Sequence, residues 1–377
     1  MIKKIISMVL IVTFLYSCQT SNKREKMIDK KLFGTLPTGE QVFIYTLTNK
    51  NGMEAKIINY GATIVSLTAP DKNNKFEDIV MGYDNLEDYI NGKSYFGCIV
   101  GRFGNRINKG KFKLDDVEYQ LTINDGVNHL HGGTIGFNKV LWEAEPIITD
   151  STQSLKLTYH SKDGEQGYPG NLTIEVIYTL NDNNEVVIDY TATTDKPTIV
   201  NPTHHSYFNL SGSFENTILN HELFIDADYI TPVNDQLIPT GELMKVDGTP
   251  FDFRTFHKIG ERINQQHQQL IFGKGYDHNW VLNNFDGKVR KVAELYEPIS
   301  GRAMEVLTDQ PGIQFYSGNF LNSSIKGKKG VTYDYRTGLC LETQHFPDSP
   351  NHPNFPSVVL KPGEKYTQKT IYRFLVK

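Results

Sequence analysis

The sequence predicts an all-β protein, a large antiparallel β-sandwich with a few short helices. Three observations carry that expectation. From residue 32 onward, apolar and polar residues alternate with period two in short runs bounded by Gly, Asn, Asp and Pro, the pattern of strands with one buried face. Two sets of runs read as hairpins. Leu172, Ile174, Val176, Tyr178 and Leu180 turn at Asn181 to Asn184 and return through Val186, Ile188 and Tyr190, while Phe112 and Leu114 are answered by Val117, Tyr119, Leu121 and Ile123 across Asp115 and Asp116. Helical spacing is scarce, confined to 86–90 and 259–270.

In chain order, further strands are expected at 41–47, 55–67, 155–159, 303–308, 314–317, 357–360 and 370–376. Many short, evenly spaced strands bury their apolar faces only by stacking into sheets. No linker or internal repeat interrupts 32–377, so this stretch reads as one domain.

Residues 1–31 read differently. Lys3 and Lys4 precede an apolar run, 5–15, then Tyr16, Ser17, Cys18 and a polar stretch, the layout of an export signal. The run is shorter than the roughly 20 residues a helix needs to cross a bilayer. Leu15-Tyr16-Ser17-Cys18 resembles a bacterial lipobox, with Tyr16 bulkier than usual there; an ordinary cleaved signal and a start site upstream of the true one are the alternatives. The expected organisation is a signal at 1–17, a polar tether at 18–31 and the domain at 32–377. The protein is then exported and lipid-anchored through Cys18 in the bacterial cell envelope, facing the periplasm. Cys98 and Cys340 lie in apolar surroundings and are expected to be buried free thiols.

Composition and motifs exclude several functions. Net charge is −4 with both signs scattered, so no phosphate backbone is an expected partner. The glycines at 101, 104, 132 and 133 form neither a Gly-x-x-x-x-Gly-Lys-Ser/Thr loop nor a Gly-x-Gly-x-x-Gly unit between strand and helix. The absence of Gly-x-Ser-x-Gly disfavours a serine hydrolase.

Four histidines in two groups invite a metal. His129 and His131, two apart, can share a strand face, whereas the adjacent His204 and His205 must point oppositely. No carboxylate follows His131 at ligand spacing, so no catalytic metal is expected. A structural calcium ion stays open, although no loop demands one. Glu342, flanked by Leu339, Cys340 and Leu341, is expected to project from a buried strand with a raised pKa, as a base or as the interior partner of Arg106. His205 precedes the aromatic run 206–208 and reads as a core residue or a proton donor. Asp277 with His278 and Asn279 reads as a turn before a strand at Trp280, and a carboxylate beside aromatic rings also suits a sugar.

Taken together, Gly101-Arg-Phe-Gly-Asn-Arg-Ile, Asn128-His-Leu-His-Gly-Gly with Gly136-Phe137 and Trp142, and His205-Ser-Tyr-Phe-Asn-Leu resemble the aldose 1-epimerase (galactose mutarotase) family. So do Gly275-Tyr-Asp-His-Asn, Gln310-Pro-Gly-Ile-Gln-Phe-Tyr-Ser-Gly-Asn and Leu341-Glu-Thr-Gln, in the same order, from about residue 33 to the C-terminus. The sequence departs from the family pattern at Gly104, His129 and His204, none of them a catalytic type.

The resemblance implies a cofactor-independent interconversion of α and β anomers of a free hexose such as galactose or glucose. Glu342 would be the base and His205 the acid; His131 would bond near the ring oxygen, and Asn105, Arg106, Asp277 and Gln314 would hold hydroxyls. The cycle would start with His205 protonated and Glu342 ionised, so their pKa values are expected to be pulled apart. The expected partner is a small monosaccharide, and the chain is expected to be a monomer. Three alternatives stay open: a non-catalytic sugar-binding sandwich, an epimerase-like enzyme for a phosphorylated hexose, and a glycoside hydrolase or lyase using Glu342 and Asp277.

Overall fold

A computed structural model describes residues 28–149 and 152–377. The expected signal at 1–17, Cys18 and most of the rest of the tether lie outside the described residues. The first strand, Asp29–Thr35, already pairs with Gln41–Thr48, so residues 29–31 of the expected tether belong to a sheet.

Nine antiparallel strands form the largest sheet, in the order Glu143–Ile148, Thr152–Ser161, Leu172–Asn181, Glu185–Thr194, Tyr366–Val376, Arg302–Thr308, Arg290–Tyr296, Glu222–Ile225 and His257–Lys258. Its middle contains the hairpin read from alternation: Leu172 opposes Thr194, Val176 opposes Tyr190, and inward residues 172 to 180 are buried at every second position. Asn181 closes the turn by accepting the N–H groups of Asn183 and Glu185, while Asn184 takes a left-handed φ of 58° that asparagine tolerates. The second hairpin also forms, with Asp115 and Asp116 both at positive φ, the conformation of a two-residue turn.

Two five-stranded sheets join this large one in a single buried cluster. The N-terminal sheet supplies Tyr45, Leu47, Ala55 and Ile57. The other sheet carries the site, and three of its strands are labelled β1 (Asp277–Leu282), β2 (Gly312–Tyr316) and β3 (Cys340–Gln344). Trp280 of β1, Ile313 and Phe315 of β2 and Leu341 of β3 join Met304, Val306 and Tyr372 of the large sheet in the core. Tyr372 also donates its hydroxyl to the Leu341 carbonyl at 2.9 Å, tying β3 to the large sheet. Because strand side chains alternate, the opposite face of these strands carries Asp277, Gln314, Tyr316, Cys340 and Glu342.

Three local expectations change. The run at 55–67 is two strands, Glu54–Ile58 and Thr63–Pro70, separated by a bend at Asn59 to Ala62. The helical stretch at 259–270 is two pieces, Ile259–Arg262 and Gln268–Gly273, the second capped by the His267 side chain. Asp277 begins a strand instead of sitting in a turn, because its backbone pairs with Tyr316. Cys98 and Cys340 are buried and unbridged.

Candidate active site

The site is assembled from several loop segments and three strands. Arg106–Ile107 pairs with His129–Leu130, so the Gly-Asn-Arg-Ile and Asn-His-Leu-His motifs dock as a short ladder. At its end, Asn105 and His131 grip each other: the His131 N–H donates to the Asn105 carbonyl, and the Asn105 N–H donates to His131 Nδ1, both at 3.0 Å. Asn105 and His131 both adopt left-handed φ, 60° and 51°. This breaks the strand alternation, so His129 and His131 do not share a face. His129 turns inward to the Thr122 carbonyl and the Tyr168 hydroxyl, each at 2.6 Å.

The grip sets a tautomer. A nitrogen that accepts an N–H carries no proton, so neutral His131 holds its proton on Nε2 and presents a donor to the cleft.

Gly132 follows at a φ of +87°, and a Cβ there would stand 1.6 Å from the Gly101 carbonyl oxygen. Gly132→Ala is therefore expected to lose about 3 kcal/mol of stability through strain and overpacking. A urea titration alongside wild type checks this, and an unchanged midpoint would refute it.

His205 is pinned by its backbone: its N–H donates to the Cys98 carbonyl at 2.9 Å, and its carbonyl accepts the Gly97 N–H at 3.0 Å. The adjacent histidines face oppositely, as the strand geometry requires. His204 points inward, bonding the Ser206 hydroxyl at 2.7 Å and the Tyr178 hydroxyl at 3.2 Å. The His205 ring stands 5.0 Å from His131 edge-on, with Tyr207 stacked at 5.2 Å and Tyr95 at 5.8 Å.

Strand register supplies the carboxylates. Gln314 of β2 lies directly opposite Glu342 of β3, while its amide donates to the Asp277 carboxylate of β1 at 2.7 Å. Glu342 Oε1 lies 3.6 Å from His205 Nε2, and Glu342 Oε2 is buried with no hydrogen-bond partner among the described residues. Arg106 does not form the interior ion pair considered for Glu342, since its Nε goes to Asp125 at 2.7 Å.

These groups line a cleft of about 280 Å³, at the small end of ligand pockets and suited to one sugar ring. Asn105, Arg106, His131, His205, Asp277 and Glu342 border it, and Gln314 reaches it through Asp277. Sequence reasoning missed Lys93, Ser94 and Tyr95, which sit in a loop without a distinctive pattern. It also left Tyr316 and Phe320 unassigned, although Tyr316 belongs to a quoted motif. A roomier cavity of about 580 Å³ lies between Asp71 and Arg302. There His221 Nε2 and the Glu297 carboxylate already take backbone N–H groups.

Burial pushes the Glu342 pKa well above the usual carboxylate range, reinforced by Asp277 and opposed by Arg106. Burial lowers His205 to about 4. The raised Glu342 value agrees with the expectation from its buried strand, but the order of the two is opposite to the one the resemblance implies, because both side chains lose water and the neutral form of each is favoured. The pair still holds one proton; burial places it on Glu342, and one transfer to His205 Nε2 creates the ionised form.

His131, His205 and Glu342 offer ligand atoms within 4.8 Å of one another, a completeness that sequence spacing did not suggest because the carboxylate comes from a distant strand. The His131 tautomer argues against a cation: Nε2, the nitrogen facing the cleft, bears the proton a metal would have to displace.

Fold and site together define a β-sandwich with a buried carboxyl and imidazole side by side in a cleft the size of one sugar. Residues 44–373 match the aldose 1-epimerase family model. Galactose mutarotase from Bos taurus is 44% identical over 93% of this chain and 99% of its own length. Aldose 1-epimerase from Escherichia coli K12 is 37% identical over 90% of this chain and 97% of its own length. A crystal structure of an aldose epimerase homologue from C. elegans superposes with a TM-score of 0.81 at 32% identity, covering 88% of this chain and 98% of that one. The chain belongs to the aldose 1-epimerase family, and its activity is that of an isomerase, an aldose 1-epimerase. The same relatives correct the expected location. Those at 42–44% identity are mammalian galactose mutarotases, not bacterial envelope lipoproteins, and the segment behind the expectation precedes the family match.

Proposed function

We propose that the chain interconverts the α and β anomers of a free hexose, galactose or glucose, with Glu342 as base and His205 as acid. The observation that carries this reading is the buried contact of 3.6 Å between Glu342 Oε1 and His205 Nε2 at the floor of the cleft. Two groups sharing one proton suffice for the reaction, provided each can both give and accept it.

In the ionised form, Glu342 takes the proton of the C1 hydroxyl. The C1 to ring-oxygen bond breaks, its electron pair goes to the ring oxygen, and that oxygen takes the proton of His205 Nε2. The open aldehyde turns about C1–C2. On reclosure the chain hydroxyl attacks the other carbonyl face, returns its proton to His205, and the new C1 oxygen takes the proton held by Glu342. Protons and electrons balance without a cofactor. His131 contributes an Nε2–H donor near the ring oxygen, and Asn105, Arg106 and Asp277 hold hydroxyls, with Gln314 fixing the Asp277 carboxylate. Arg106 favours ionised Glu342, and so does the C1 hydroxyl that donates to it.

Polarimetry of freshly dissolved α-galactose and α-glucose tests the proposal. The rotation is expected to relax faster than in buffer, at a rate proportional to enzyme. Relaxation of both sugars at the buffer rate would end it.

A further inference from the structure

The mechanism requires His205 to work through Nε2 alone, which leaves open what occupies the other nitrogen. Cys340 Sγ lies 3.5 Å from His205 Nδ1. Cys340 and Glu342 are two residues apart on β3 and project to the same face, so one strand offers a thiol to Nδ1 and a carboxylate to Nε2. The other groups around the ring are His131, Tyr95 and Tyr207, met through ring faces and edges. We infer that Cys340 is a positioning residue: its sulfur accepts the idle Nδ1–H of His205, which keeps Nε2 as the working nitrogen toward Glu342 and the sugar. This rests on the acid role proposed for His205.

The chemistry fits a thiol. Cys340 is wholly buried and its pKa is raised well above the usual value, chiefly by burial and then by Glu342, so it stays an uncharged, weak acceptor. A carboxylate at that place would hold the imidazolium too firmly to release its proton to the ring oxygen. Without an acceptor at Nδ1, the neutral ring gains most by moving its proton to Nε2 and donating it to Glu342, a tautomer that blocks both roles.

The test combines nitrogen-15 NMR of histidine-labelled protein with polarimetry at pH 7.5. The His205 signals, assigned by their loss in His205→Asn, are expected to show a protonated Nδ1 and a bare Nε2 in wild type. Cys340→Ala is expected to shift that ring toward a protonated Nε2 and to lower kcat about tenfold with KM unchanged. Cys340→Ser, whose hydroxyl accepts the same proton, is expected to restore both. A protonated Nε2 in wild type overturns the inference, as does an alanine variant with unaltered tautomer and kcat, or a serine variant no better than alanine. If the alanine variant fails to fold, the wild-type spectrum still decides. That spectrum requires no turnover, so a wild type inactive in polarimetry refutes the proposed function separately.

Discussion

Glu342→Gln is expected to lower kcat/KM for anomer interconversion by about a thousandfold, within the range of about 10²–10⁴ that a positioned acid or base supplies. Gln keeps the size of the side chain and places an amide where Oε1 lies 3.6 Å from His205 and Oε2 has no partner among the described residues, so little packing is disturbed. What disappears is the proton site. With the base gone, His205 alone can neither strip the C1 hydroxyl nor replace the proton it gives the ring oxygen. The variant should keep the wild-type melting temperature, and polarimetry then reads chemistry alone. A folded Glu342→Gln enzyme within tenfold of wild type would sink the assignment of the base.

A second large effect is expected from acid. Six histidines, His129, His131, His204, His205, His221 and His278, are buried. Desolvation lowers His129, His205 and His221 to about 4, lowers His204 and His278 to about 3, and holds His131 well below its ordinary value. Unfolded histidine titrates near 6.5. Above that pH both states are neutral and stability is complete. As pH falls below it, the unfolded chain gains protons that the fold refuses, and stability is lost until the folded values are reached. Each fully affected group removes about 1.4 kcal/mol per pH unit. Three acting fully would remove about 4 kcal/mol per unit, against a typical total of about 5–15 kcal/mol. Melting temperature should fall steeply between pH 6.5 and 4.5, and a flat profile there would contradict the argument.

Much of the fold was legible because strand faces announce themselves by alternation. The hairpin at Leu172 to Tyr190 and the opposed His204 and His205 both follow from a period of two. The same rule put Glu342 on a buried strand. It could not supply the register that sets Gln314 opposite Glu342 and brings Asp277 to the edge of the row, because pairing between strands depends on chain far away. The rule failed at His131, where a left-handed residue turns the ring out of the expected face. That conformation is held by Asn105, whose own φ is equally unusual, so neither could be inferred without the other. The raised value of Glu342 followed from its buried strand, but the lowering of His205 did not, since catalytic logic names the working protonation state and burial favours the neutral ring.

Tyr366–Val376, the last strand of the described chain, lies between Glu185–Thr194 and Arg302–Thr308, in the middle of the nine-stranded sheet. On a ribosome this strand emerges after the eight others of its sheet. Until it inserts, the large sheet exists as two halves with open edges, and Tyr372 cannot anchor the strand that bears Glu342. Such long-range pairing is slow to form and leaves strand edges exposed meanwhile. The large sheet is therefore completed only by the strand that leaves the ribosome after its eight partners, and a nascent chain lacking it exposes two strand edges.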